Sequence, residues 1–164
     1  LDFVISSSIV DSLEFKQQLL TTLDFKIAIS RKLLPHQQDH LSAQELNALP
    51  FILMRDHPAQ CETTYKIARL LKIKPHYRDC PDGLGLYQLI DSGQGVALIT
   101  SLEQALLATP AIAFIPIPLS YTINFYLYQS NHWPLCQQAL TVKNQLQTLF
   151  TRSKSNQSLN IGAD

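Results

Sequence analysis

The sequence has no excess of either charge. Thirteen Lys and Arg side chains balance thirteen Asp and Glu, so no bulk basic field draws this chain to nucleic acid or to an anionic membrane. No apolar run approaches the roughly 20 residues of a membrane span. The first residues, Leu1-Asp2-Phe3-Val4-Ile5, lack the basic and long apolar regions of a signal peptide. Cysteine is scarce and odd in number: Cys61, Cys80 and Cys136 are widely spaced, with no C-x-x-C, which reads as reduced, cytosolic thiols. G-x-S-x-G, H-E-x-x-H and paired-carboxylate arrangements are all missing, so no catalytic motif announces an enzyme. What is present is a chain of 164 residues, 46% hydrophobic and 16% charged. That describes a soluble globular protein with enough length for one ordinary domain or two small lobes.

Glycine is also sparse, with five in the chain, so the pair in Ile90-Asp-Ser-Gly-Gln-Gly-Val-Ala-Leu-Ile-Thr100 stands out. A dinucleotide fingerprint runs from strand to Gly-rich turn to helix. Here the order is reversed. Leu86, Leu89 and Ile90 fall at helical spacing before the glycines, and the β-prone run Val96 to Ile99 follows them. The expectation is a helix stop, with Gly93 in the left-handed position past the helix end.

Alternating segments fill the rest. Phe3 to Ile5 reads as a buried strand that ends in Ser6-Ser7-Ser8, and Leu23 to Ile29 alternates as a half-buried strand. Ser42 with Glu45 three residues on forms a capping box before a short helical turn. Phe51 to Met54 is a strand. From about Ala59 to Leu71 a helix is expected, with Cys61, Tyr65, Ala68 and Leu71 on its buried face, widened by Ile67 and Leu70. Pro75 to Arg78 is a short strand, and Ser101 can cap a helix over Leu102 to Leu107. Ile112 to Ile117 and Ile123 to Tyr128 are strands, and a long amphipathic helix begins at Pro134. The pattern is that of an α/β fold with a mainly parallel sheet.

The order of four segments resembles the effector-binding domain of LysR-type transcriptional regulators. They are LDFVIS (1 to 6), FKIAIS with PHQQDHLSAQELNALPFIL (25 to 30 and 35 to 53), LYQLIDSGQGVALIT (86 to 100) and FIPIP (114 to 118). Thr100 stands where that family's signature usually ends in Pro. The resemblance implies a fold like the type II periplasmic-binding proteins, with Rossmann-like lobes, the second complete and the first partial. Residues 1–26 would be partial first lobe and crossover strand, and 27–117 the second lobe. Residues 118–152 would be the return crossover and first-lobe helix, and 153–164 a flexible tail. With no initiator Met and a start inside a strand, the chain is expected to be a fragment whose DNA-binding part is absent. The implied function is non-enzymatic sensing of a small, often anionic effector in an inter-lobe cleft. The setting would be a cytoplasmic regulator that assembles as a homodimer or tetramer, needs no cofactor and touches DNA only through its missing domain. A type II solute-binding protein of a transporter, or an enzyme on a similar scaffold, are the alternatives.

Effector-binding candidates follow from that cleft. Ser6, Ser7 and Ser8 end a first-lobe strand, and Met54, Arg55 and Asp56, followed by His57, end a second-lobe strand, where open α/β sheets bind ligands. Arg55 can meet a carboxylate through two contacts, or stand as a solvated loop cation. Cys80, Pro81 and Asp82 occupy an equivalent position after Asp79, with Asp82 equally able to serve as a plain N-cap for Gly83 and Leu84. Thr100 offers a hydroxyl, or caps the next helix. Peroxide-sensing members of the family use a cysteine pair about ten residues apart; Cys61 and Cys80 are too widely spaced for that pattern, and Cys61 reads as a core residue. His36 and His40 lie four apart without a third ligand, so no metal is expected.

Overall fold

One strand of sixteen residues links the two parts of the structure, a computed structural model that describes residues 2–10, 13–34 and 38–159, the side chains of 151–159 excepted. The elements run β1 (Phe3–Ser6), β2 (Phe15–Ser30), a 3-10 turn (Arg31–Leu33), α1 (Ala43–Ala48), β3 (Phe51–Met54), α2 (Pro58–Leu70) and β4 (Tyr77–Cys80). They continue with α3 (Gly83–Asp91), β5 (Ala97–Thr100), α4 (Ser101–Leu107), β6 (Ile112–Pro116), β7 (Thr122–Ser130) and α5 (Gln137–Leu159). The chain divides into two compact units. Unit 1 comprises Leu1–Leu23 and Ile123–Asp164, and unit 2 Asp24–Thr122.

In unit 2 the end of β2 is a middle strand. Lys26, Ile27 and Ala28 pair antiparallel with β5 and, at the same time, with β6, so β5 and β6 occupy opposite edges of β2. On its outer side β5 meets β3 through a parallel bridge at Phe51 and Val96, held by hydrogen bonds from Ile52 N to Val96 O and from Val96 N to Pro50 O, both 2.8 Å. β3 in turn pairs parallel with β4. The order across the unit is therefore β4-β3-β5-β2-β6. Gly95 allows the β3–β5 seam to close, because a Cβ there would meet Pro50 O at 2.7 Å and Ile52 Cγ1 at 2.9 Å.

The expected mainly parallel sheet is corrected by these pairings. β2 joins both β5 and β6 antiparallel, β1 joins β7 antiparallel, and β3 and β4 form a parallel ladder with a parallel bridge to β5. The reason is topological. β2 enters unit 2 from unit 1 without a crossover helix, and only such a helix returns a strand in the parallel sense.

The core of unit 2 joins Ala28, Ile52, Met54, Cys80, Leu86, Ile90, Ala97, Ile99 and Ile112, so α3 packs on one face of these strands. Local signals were sound where they depended on neighbours in sequence. Ser42 and Glu45 form the capping box of α1, and Gly93 takes φ 76° just beyond α3. Gly93 and Gly95 thus stop a helix and close a seam. Four features differ from expectation, the first being that β2 starts at Phe15 rather than at Leu23. β1 is half exposed rather than buried. The buried stripe of α2 is Thr64, Ile67 and Ala68, with Tyr65 and Leu70 outward. Thr64 tolerates burial because its hydroxyl donates to Gln60 O at 2.8 Å. Finally, α5 starts at Gln137 and continues to Leu159, through most of the stretch expected to be a tail.

In unit 1, β7 lies between β1 and the first part of β2, and Leu20, Leu23, Leu127, Tyr128 and Ala139 are buried. Among the described residues no helix is long and apolar enough to cross a membrane.

Candidate functional site

Three strands of unit 2 end side by side, and each is followed by a helix start. Met54 of β3 sits opposite Cys80 of β4 in the parallel register, and the Phe51–Val96 bridge brings the end of β5 level with them. α2, α3 and α4 begin within a few residues of these ends. Parallel strands force this arrangement, since each connection must leave from the carboxyl edge; their orphan N–H groups then point toward a common region.

The helix starts differ in how they are satisfied. At α3, Asp82 is the N-cap, its Oδ1 accepting from Gly85 N at 2.7 Å. At α4 the N-cap is Thr100, not Ser101: the Thr100 hydroxyl donates to Glu103 Oε2 at 2.8 Å and accepts from Glu103 N at 3.4 Å. α2 has no side-chain cap at His57, and Pro58 opens its first turn. Of these three N-termini, only that of α2 lacks a side-chain cap; Pro58 has no N–H and Gln60 N bonds His57 O at 3.0 Å, so its first turn offers an anion or water the Ala59 N–H.

Arg55 lies just past β3. Its guanidinium pairs with Asp79 of β4, across the register that sets Leu53 beside Asp79. This hydrogen bond, and then the Asp79 charge, hold the Arg55 pKa above its ordinary value. The pair is well exposed and borders a recess of about 590 Å³ lined by Leu53, Arg55, Pro58, Cys61, Glu62, Tyr65 and Asp79. The arginine is therefore partly compensated before any ligand arrives. Sequence reasoning missed Asp79 as its partner, because 24 residues separate them and only strand register brings them together.

Met54 and Cys80 point away from that recess into the core, so they can offer a ligand only backbone. Burial, followed by the Asp82 and Asp79 charges, pushes the Cys80 thiol up, opposite to what a reactive thiolate needs. Cys61 donates its thiol to Met54 O at 3.3 Å. Gln60, also unforeseen, fastens α2 to β3: its Oε1 accepts from Met54 N at 3.2 Å. A short helical spacing after a strand was its only visible signal.

Ser6, Ser7 and Ser8 belong to unit 1. There Ser6 Oγ accepts from Ser8 N at 3.1 Å, and Tyr128 donates its hydroxyl to Ser8 O at 2.8 Å, so this loop is tied to β7. Of the two histidines considered for metal, His36 lies outside the described residues and His40 contacts Asp39. Among the described residues no three His, Cys, Asp or Glu side chains gather as a metal site.

No protein-family model matches the sequence, and no curated protein matches it. Solved structures do share the fold. The effector-binding domain of QuiR in complex with shikimate superposes with a TM-score of 0.70 at 12% identity, covering 92% of this chain and 72% of that one. The CcmR regulatory domain of Synechocystis in complex with 2-PG gives 0.71 at 14% identity, over 91% and 73%. The regulatory domain of NMB2055 (MetR), a LysR family regulator from N. meningitidis, gives 0.70 at 14% identity, over 93% and 71%. The chain thus has the α/β fold of LysR-family regulatory domains.

Proposed function

We propose that this chain is the ligand-sensing regulatory part of a LysR-type transcriptional regulator, not an enzyme, and that it binds a small organic anion at the strand ends of unit 2. The observation that carries this reading is the α2 N-terminus, without a side-chain cap, beside Arg55 and level with the ends of β3, β4 and β5. The ligand takes the Ala59 N–H of α2 and the unbonded N–H groups of the loops after Met54 and Cys80, and competes with Asp79 for the Arg55 guanidinium. Asp56, Pro81, Asp82 and Thr100 shape the rim; Met54 and Cys80 contribute backbone. Two of the structural neighbours hold small ligands, shikimate and 2-PG, which supports the ligand class.

In fold terms unit 2 corresponds to the complete second lobe of a type II periplasmic-binding-protein-like domain and unit 1, which carries Ser6, Ser7 and Ser8, to a partial first lobe. Binding biases the lobes between arrangements, and that bias is what a DNA-binding part and a partner subunit of a cytoplasmic regulator would read.

The test is a titration of the 164-residue chain with a panel of small carboxylates and phosphate esters that includes shikimate and 2-PG, followed by amide NMR shifts. Saturable shifts at Arg55 to Gln60 and Asp82 to Leu84, weakened about tenfold or more by Arg55→Ala, are expected. Affinity unchanged in Arg55→Ala removes Arg55 from the site, and conversion of the ligand to a product overturns the sensor reading.

A further inference from the structure

The function proposed above uses unit 2, yet a recess lined only by basic, carboxamide and apolar side chains lies in unit 1. It has a volume of about 440 Å³ and is lined by Lys16, Gln17 and Gln18 of β2, Leu127 and Gln129 of β7, and Lys143 of α5. Two of its groups are ammonium ions, three are carboxamides, and none is a carboxylate.

The hydrogen bonds orient the amides. Lys143 Nζ sits 2.9 Å from Gln129 Oε1, and an ammonium can only donate, so the amide oxygen of Gln129 must face it and the amide NH2 turns elsewhere. Gln18 Oε1 accepts from Gln147 Nε2 at 2.8 Å, which likewise leaves the Gln18 NH2 to donate. Both amide oxygens already accept one hydrogen bond within the protein, and the donors left for a guest are the two NH2 groups, the Lys16 ammonium and the spare N–H bonds of Lys143. Neither lysine is ion-paired with a carboxylate among the described residues. Leu127, buried at the floor, keeps one wall dry.

The geometry points to a second binding site, in unit 1, for a small oxyanion, either a carboxylate or a phosphate, separate from the strand ends of unit 2. Such an ion accepts from several donors at once and neutralises the two ammonium groups that line the recess. It would tie α5 to β2 and β7, so that occupancy stiffens unit 1. The site does not depend on whether unit 2 binds a ligand.

The experiment is a titration of the 164-residue chain with inorganic phosphate, read on backbone amides and on the glutamine side-chain NH2 signals, against sodium chloride at matched ionic strength. Saturable shifts of the Gln18 and Gln129 NH2 groups with phosphate alone are expected. Gln129→Glu is the decisive variant, because a carboxylate still accepts from Lys143 and so preserves the packing. It should weaken phosphate binding about tenfold or more while leaving the melting temperature unchanged or higher. Lys16→Gln, at an exposed position, should weaken binding several-fold. Shifts that chloride reproduces, shifts confined to the strand ends of unit 2, or phosphate binding that survives Gln129→Glu would each overturn the proposal.

Discussion

Unit 1 and unit 2 contain the same three-strand arrangement with different surroundings. In unit 2 the order is β5-β2-β6, and in unit 1 it is β1-β7-β2. The middle strand in each case is the one that arrives from the other unit, β2 in unit 2 and β7 in unit 1. The flanking strands β5 and β1 occupy equivalent places, and both are short apolar runs, ALIT and FVIS. Their burial could hardly differ more. Ala97, Leu98 and Ile99 are 0%, 3% and 1% exposed, while Val4 and Ile5 are 41% and 39% exposed.

Sequence character does not explain the difference, since both runs are equally apolar. What differs is the outer edge. β3 adjoins β5, with β4 beyond it and α3 packed across. Among the described residues β1 pairs with β7 alone. The comparison teaches that a β-prone run records a tendency to pair and to bury, and that the neighbours decide how far burial goes.

The largest effect should come from truncating matched side chains in the two units. Ile52→Ala empties a fully buried position in the unit 2 core and should cost about 3 kcal/mol in urea unfolding, within the usual range for such a deletion. Ile5→Ala, on half-exposed β1, should cost less than about 1 kcal/mol. Equal losses would mean that β1 is as well covered in solution as β3 in the unit 2 core.

Gly95→Ala sharpens the comparison at the seam itself. The added methyl conflicts with the Pro50 carbonyl and Ile52, and a backbone oxygen cannot swing aside as a side chain can. A loss of about 1 to 3 kcal/mol is expected, together with faster hydrogen exchange at Ile52 and Val96, while the amides of β1 stay unchanged. A neutral Gly95→Ala would show that β3 and β5 are not closely joined.

The smallest effect concerns the cap of α1, in unit 2. Ser42→Ala should cost about 1 kcal/mol. The backbone N–H of Ser42, aided by the Gln38 amide and the Ser42 hydroxyl, lowers the Glu45 pKa from 4.5 to about 2. A carboxyl with a depressed folded-state pKa stabilises the fold above its unfolded value, and the contribution fades as pH falls through the folded value. The melting temperature of the wild type should therefore drop between pH 4.5 and 2 by more than that of Glu45→Gln, and an identical drop in both would show that the cap is not formed.

Much of the local structure was legible because it depends on close neighbours. Ser42 with Glu45, Asp82 before Gly83 and the left-handed Gly93 are each decided within three or four residues by a hydrogen bond or a φ preference. The candidate site was legible only in outline. Strand ends followed by helix starts could be located, but the Arg55–Asp79 pair and the inward turn of Met54 and Cys80 could not. The α2 stripe was placed about one residue away because a buried Thr64 looks polar until its hydroxyl is seen to bond Gln60 O.

By itself, then, the sequence determined the succession of strands and helices, the caps of α1 and α3 and the turn at Gly93, because these follow from periodicity and from contacts within one helical turn. The tertiary structure alone decided that β2 lies antiparallel between β5 and β6, that β1 is left half exposed while β5 is sealed, and that Arg55 meets Asp79. Those outcomes join residues separated by tens of positions, where each pairing depends on which other strands and helices have already taken the competing edges and faces.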